Sequence, residues 1–169
     1  MSNIRFAAMP YADAEALWSG AADAYGRLPE TTISDGPGNP CRHCLRNIDA
    51  GDEFLVFAYR PFPELQPYAE TGPAFLHKVP CQRYAAEEVL PPVLSGTRDF
   101  IVRGYSDSNR IVYGTGAVTA TDDIPAYAET LLERPEIAYV HVRSARNNCY
   151  QCRIDKQKAP ALGELGAFI

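Results

Sequence analysis

A chain of 169 residues, 46% hydrophobic and 22% charged, has the make-up of an ordinary globular protein and is long enough to bury a core without disulfide staples. Its formal net charge of −5 argues against general nucleic-acid binding, and no apolar run approaches the roughly 20 residues a membrane-spanning helix needs. One soluble domain over residues 1–169, with no nucleic-acid or membrane partner, is the expectation.

The start, MSNIRFAAMPYADAEAL, lacks a basic segment followed by a long apolar one and carries Asp13 and Glu15. No secretory signal is read there, and the expected compartment is cytoplasmic. Five cysteines in such a compartment are expected to be reduced, which favours metal or reactive-thiol roles over disulfides. Of the 16 basic residues, 13 are arginine, whose planar fork holds a carboxylate or phosphate through two bonds. A small anionic ligand is therefore conceivable, beside plain pairing of the arginines with the 21 acids.

In chain order, Pro10 to Gly26 reads as a helix with Asp13 near its cap, Leu17, Ala21 and Tyr25 at helical spacing, and Gly26 as its stop. Trp18 is read as a packing anchor. Residues 28–40, rich in Pro, Gly, Thr and Ser, read as an irregular connection.

Cys41-Arg42-His43-Cys44 follows in a turn-rich setting, and two cysteines three positions apart on a bend can both turn their sulfurs towards one ion. The bland alternative is a pair of buried, reduced thiols. After a strand at Phe54–Tyr59, the four-proline segment RPFPELQPYAETGP reads as a long loop, and Ala74–His77 as a short strand. HKVPC then sets His77 and Cys81 four apart, with Pro80 turning the chain between them. Cys41, Cys44, His77 and Cys81 together supply four tetrahedral ligands of the types zinc prefers, in a site the fold has to assemble.

Glu87–Leu94 reads as a short helix cut at Pro91-Pro92, and Phe100–Tyr105 and Ile111–Val118 as strands joined by the turn Ser106–Asn109. Tyr113-Gly114-Thr115-Gly116 reads as close strand packing, since the third glycine and following helix of a phosphate loop are missing. Thr121-Asp122-Asp123 is placed to cap a helix carrying Pro125 in its first turn, with Ile124, Tyr127, Ala128, Leu131 and Leu132 facing inward and Pro135 beyond its end.

The run HVRSARNNCYQC, from His141 to Cys152, is the most chemically dense stretch of the chain. Alternation over Ile137–Val142 sends Ala138, Val140 and Val142 to one face and Tyr139, His141 and Arg143 to the other. Asn147-Asn148 suits a tight reversal before a second strand at Tyr150–Ile154. On a continuous strand Cys152 shares parity with Tyr150 and Ile154 and reads as a core thiol, while Cys149 joins the face of Gln151 and Arg153. Residues 156–169 lack periodicity and are read as a loose tail. The class expected is α+β, a mainly antiparallel sheet with two or three packed helices.

The phrases PCRHCL, YAETGPAFLH, GYSDSNRIVYGTG and HVRSARNNCYQCRID, in this order, resemble a bacterial family of single-domain proteins catalogued only as a domain of unknown function. The resemblance covers nearly the whole chain and implies one domain, with no activity, substrate or cofactor. The pattern it resembles keeps Cys41 and Cys149 but does not always carry Cys44, and can have arginine in place of His77. A metal site is thereby implied for chains like this one rather than for the family.

Three functional expectations stand side by side. One is a zinc-containing domain, Cys41, Cys44, His77 and Cys81 holding a structural ion, whose polar hairpin face engages a ligand or protein partner. Another is an enzyme or small-anion binder lined by Tyr139, His141, Arg143 and Arg146, with Cys149 as nucleophile and His141 as base. The last is a metal-free interaction module whose cysteines merely pack.

Overall fold

The computed structural model describes residues 2–158. In chain order it contains β1 (Ile4–Ala7), α1 (Tyr11–Trp18), β2 (Glu30–Ile33), β3 (Glu53–Tyr59), β4 (Gly72–His77) and β5 (Asp99–Tyr105). There follow β6 (Ala117–Ala120), α2 (Ile124–Leu132), β7 (Tyr139–Ser144) and β8 (Tyr150–Lys156). The strands form two sheets, one ordered β1-β8-β7-β5-β6 and the other β2-β3-β4, and every strand pairing within them is antiparallel. The molecule is thus dominated by antiparallel sheet, with two α-helices among the described residues, the lower of the expected numbers.

The larger sheet buries one face under α2. Ile124, Ala128, Leu131 and Leu132 meet a floor that includes Val102, Val140, Val142, Cys152 and Ile154, the 3.6-residue stripe of a helix against the two-residue alternation of strands. Its other face is covered too, by Phe62 of the proline-rich loop packing on Tyr105 and Tyr139. β7 is buried on both sides as a result. The smaller sheet makes its own core from Phe54, Phe57, Ala74 and Leu76 with Met9 and with Ala14 of α1.

Several expected elements come out differently. The first helix ends at Trp18, because Gly20 takes a left-handed φ of 90° and breaks the helical path. Beyond it Ala21 and Tyr25 lie exposed, so their helical spacing had no core to serve. The connection 28–40 contains β2, an edge strand whose four residues are all exposed and which therefore shows no alternation. No α-helix forms over 87–94; a 3-10 turn at Pro92–Leu94 replaces it, where Pro91-Pro92 removes two successive backbone donors. Of the strand expected over 111–118, only Ile111 bridges to Tyr105 before β6 begins at Ala117.

The reading of the Tyr113–Gly116 stretch as close packing agrees with what replaces that strand. Thr115 is buried, accepting the Gly104 N–H at 3.0 Å and donating to the Val112 carbonyl at 2.6 Å. A Cβ at Gly104 would meet Ile137 Cδ1 at 3.0 Å, so any larger residue there would have to push Ile137 aside. α2 has no side-chain cap: the Thr121 hydroxyl donates to the Thr97 carbonyl instead, tying the helix start to the approach to β5. Lys156 ends β8 opposite Ile4, so the expected loose tail starts later; the rest of that reading, residues 159–169, lies outside the described residues.

One segment touches both cores. Cys41 and Ile48 belong to the core of the smaller sheet, while Leu45, between them in sequence, is fully buried in the core of the larger.

Candidate metal centre

That segment is a knuckle. Pro40 and Asn47 bridge at its base, Cys41 donates its N–H to the Arg46 carbonyl at 2.9 Å, and Leu45 donates to the Cys41 carbonyl at 3.0 Å. Leu45 takes a left-handed φ of 53°, and this turn lets two sulfurs three residues apart face the same way. The outward carbonyls are then claimed from distant parts of the chain. Arg42, His43 and Leu45 accept N–H bonds from Met9, Tyr84 and Val93, each at 2.9 Å, and the Arg42 N–H donates to Phe75 of β4 at 3.0 Å.

The second ligand pair is delivered by the end of β4. His77 is its last residue, its carbonyl fixed by the Trp18 indole N–H at 2.8 Å, which gives the expected anchor role of Trp18 a specific object. Pro80 then brings Cys81 back. Cys41 Sγ lies 3.8 Å from Cys81 Sγ, Cys44 Sγ lies 3.6 Å from His77 Nδ1, and all four ligand atoms lie within 4.8 Å of one another. A tetrahedral ion with metal–sulfur bonds of about 2.3 Å and a metal–nitrogen bond of about 2.0–2.1 Å requires about 3.8 Å between sulfurs and about 3.6 Å between sulfur and nitrogen. The four residues expected from sequence do come together, and they can hold a metal ion.

Charge within the cluster is shared. The Cys41 thiol is held well below its ordinary range by hydrogen bonds from Cys44 and then Cys81, against the opposing effect of burial. His77 is pushed up to about 10, first by its hydrogen bonds with Cys41 and Cys44. His43, between the two knuckle cysteines in sequence, is no part of this: its Nδ1 lies 2.9 Å from the Met9 carbonyl, so it carries the proton, and its ring packs edge-on against Trp18.

The hairpin face, expected to offer its polar groups to a ligand or partner, is covered by the chain itself. Asn148 takes a left-handed φ of 56° at the expected reversal, but the register slips between Val142 and Arg143, so Cys152 lies opposite Val142 and Tyr150 opposite Arg143. This bulge breaks strand parity. Tyr150 turns to the side of His141, its ring 4.8 Å from the imidazole, while Cys152 stays in the core, its thiol pushed up to about 12 by burial.

His141 is fully buried among the rings of Phe62, Tyr105, Tyr139 and Tyr150, and both its nitrogens lack a hydrogen-bond partner. Arg143 forms an ion pair with Glu70, whose carboxylate is also gripped by Arg103 at 2.7 and 2.9 Å and by the Tyr105 hydroxyl at 3.2 Å. The arginine fork thus holds a carboxylate belonging to the chain's own proline-rich loop. Tyr139 donates to Asn109 and lies under Arg153, whose guanidinium is 3.9 Å from the ring centre. Arg146 lies apart, paired with Asp99 at 2.6 Å. Cys149 lines a cavity of about 200 Å³ with Arg143 and Tyr150, but His141 does not reach that cavity, so the two residues imagined as nucleophile and base are not brought together.

Glu70 is not marked out by the sequence, and Arg103 only as one of many arginines. The available signal was weak: one of two acids in a loop of prolines, and an arginine whose cross-strand partner is His141.

Burial first, then Arg143, Arg153 and Arg103, hold the His141 imidazole well below its ordinary value of 6.5. The unfolded chain then takes up this proton more readily than the folded one. The contribution of His141 to stability is whole above about pH 6.5 and is lost as the pH falls below it. His141→Phe, which keeps a ring in the aromatic box, is expected to flatten the loss of stability between about pH 7 and 5, measured by denaturant unfolding. An unchanged slope would assign the acid sensitivity to other groups.

Fold and site together define a class: a sheet-dominated domain carrying a Cys3His cluster able to hold a metal, with no helix among the described residues long and apolar enough to cross a membrane. The chain belongs to the family described as a protein of unknown function (DUF1203), whose family model matches residues 38–156, more than half of the chain and including all four cluster residues. Neither the curated proteins nor the solved structures contain a match to it.

Proposed function

We propose that Cys41, Cys44, His77 and Cys81 bind one structural zinc ion, and that the protein is a small α+β binding domain held together by it. The observation that carries this reading is the spacing of the four ligand atoms, with Cys41 Sγ 3.8 Å from Cys81 Sγ, Cys44 Sγ 3.6 Å from His77 Nδ1 and all four within 4.8 Å of one another. Three thiolates and an imidazole are the donor set zinc favours over harder cations. Four protein ligands leave no open position for water or substrate, which distinguishes a structural from a catalytic centre.

The placement supports the same role. The knuckle contributes Cys41 to one core and Leu45 to the other. An ion fixing Cys41 and Cys44 to the end of β4 would fasten this junction and make the two sheets one folding unit. Metal analysis tests the reading: protein purified without chelator should carry about one zinc per chain, and a metal-free, fully folded protein would overturn it.

A further inference from the structure

Outside the ligand cluster, the knuckle, β4 and the β7–β8 turn enclose a cleft of about 590 Å³, a size suited to a small organic molecule. Phe75, Val93 and Phe100 give it apolar walls, and Asn47, Cys149 and Gln151 contribute polar groups. Arg42 lines the same cleft and is only 3% exposed. Its Nε donates to the Tyr150 carbonyl at 2.5 Å and its Nη1 to the Pro40 carbonyl at 2.6 Å, and its guanidinium lies 5.7 Å from the Phe75 ring centre.

What Arg42 lacks is an anion. Among the described residues its guanidinium makes no ion pair, whereas Arg143 and Arg103 share Glu70 and Arg146 has Asp99. Its Nη2 makes no hydrogen bond there, and it is not among the polar atoms sealed away from solvent. A buried charge is costly unless it is paired. The other buried arginine among the described residues, Arg143, meets that requirement with the Glu70 carboxylate; at Arg42 the remaining donor is accessible from a cleft with apolar walls.

We propose that this cleft binds a small organic monocarboxylate, its carboxylate accepting from Arg42 Nη2 and its apolar body lying against Phe75, Val93 and Phe100. One guanidinium without an ion-pair partner among the described residues matches one carboxylate, and a single free guanidinium nitrogen favours contact through one carboxylate oxygen. The apolar walls favour an organic acid over inorganic phosphate. None of the four cluster residues lines the cleft, so carboxylate binding and metal content are separate readouts.

Calorimetry on the full chain as purified tests it, using benzoate, phenylacetate and octanoate against benzamide and inorganic phosphate. At least one of the carboxylates should bind at millimolar concentration or below, with benzamide at least tenfold weaker than benzoate and phosphate giving no heat. Arg42→Gln should weaken carboxylate binding at least tenfold. Because Arg42 also fastens Tyr150, this variant can lose its fold, so Asn47→Asp serves as a second probe: an exposed residue that adds a competing carboxylate to the cleft wall. It should weaken binding several-fold with circular dichroism and melting temperature unchanged. Absence of heat with all three acids, equal binding of benzoate and benzamide, binding of phosphate alone, or wild-type affinity in Asn47→Asp would each overturn the proposal.

Discussion

Replacing Cys44 by serine is expected to release the metal and lower the melting temperature by about 10 °C or more, while Cys149→Ser shifts it by no more than about 2 °C. A ligand bound only by the folded state stabilises it by about 4 kcal/mol when present at a thousandfold its dissociation constant. In a chain of this length each kcal/mol corresponds to about 2–4 °C. Cys149 is a fair control, since it is only partly buried and its sulfur makes a single long contact, 3.7 Å to the Asn147 carbonyl. Cys152 is a poor one, because its thiol is fully buried in the core of the larger sheet and a hydroxyl there would lack a partner. Equal losses in Cys44→Ser and Cys149→Ser, by differential scanning calorimetry, would mean that the knuckle thiols carry no metal.

Glu70→Gln is the second large effect. Its carboxylate is the counter-ion for Arg103 and Arg143, whose side chains are only 17% and 5% exposed. Removing it leaves two guanidiniums with no acid partner under the proline-rich loop. Breaking a fully buried pair costs about 3–5 kcal/mol; with Glu70 itself 30% exposed, a loss of about 2–3 kcal/mol is expected in denaturant unfolding. Adding Arg143→Met should restore part of it, since the double variant removes a charge that the single one strands. A loss below about 0.5 kcal/mol would place Glu70 with exposed surface pairs.

The two sites were not equally legible in the sequence. The four cluster residues were, because each pair is local: Cys-x2-Cys on a turn and His-x3-Cys around Pro80 are short-range patterns whose chemistry narrows their use. Of the larger sheet, β7 was legible from alternation and β5 and β8 from their flanking turns, and α2 from its apolar stripe; β1, only four residues long, gave no such signal, and β6 was hidden in the longer run 111–118. β2 was not, because an edge strand with no buried residue has no periodicity to read. The hairpin face failed for a different reason. Parity identified Tyr139, His141 and Arg143 as neighbours on one side, but it carries no information on what covers that side, and Phe62 and Glu70 arrive from a loop some 70 to 80 residues earlier. The bulge between Val142 and Arg143 was hidden as well, since one extra residue in a ladder leaves the local composition unchanged. Arg42 stood out only as one arginine among many, because its significance lies in a missing partner, which only the packed structure can reveal.

The most direct measurement is to titrate the native protein with an organomercurial while following released zinc with a chromophoric indicator. Release of one zinc per chain, completed as the three cysteines of the cluster react and absent from Cys44→Ser, is the result predicted for a closed Cys3His centre. If all five thiols are titrated to completion in denatured protein purified without chelator and no zinc appears, the metal-held domain is contradicted.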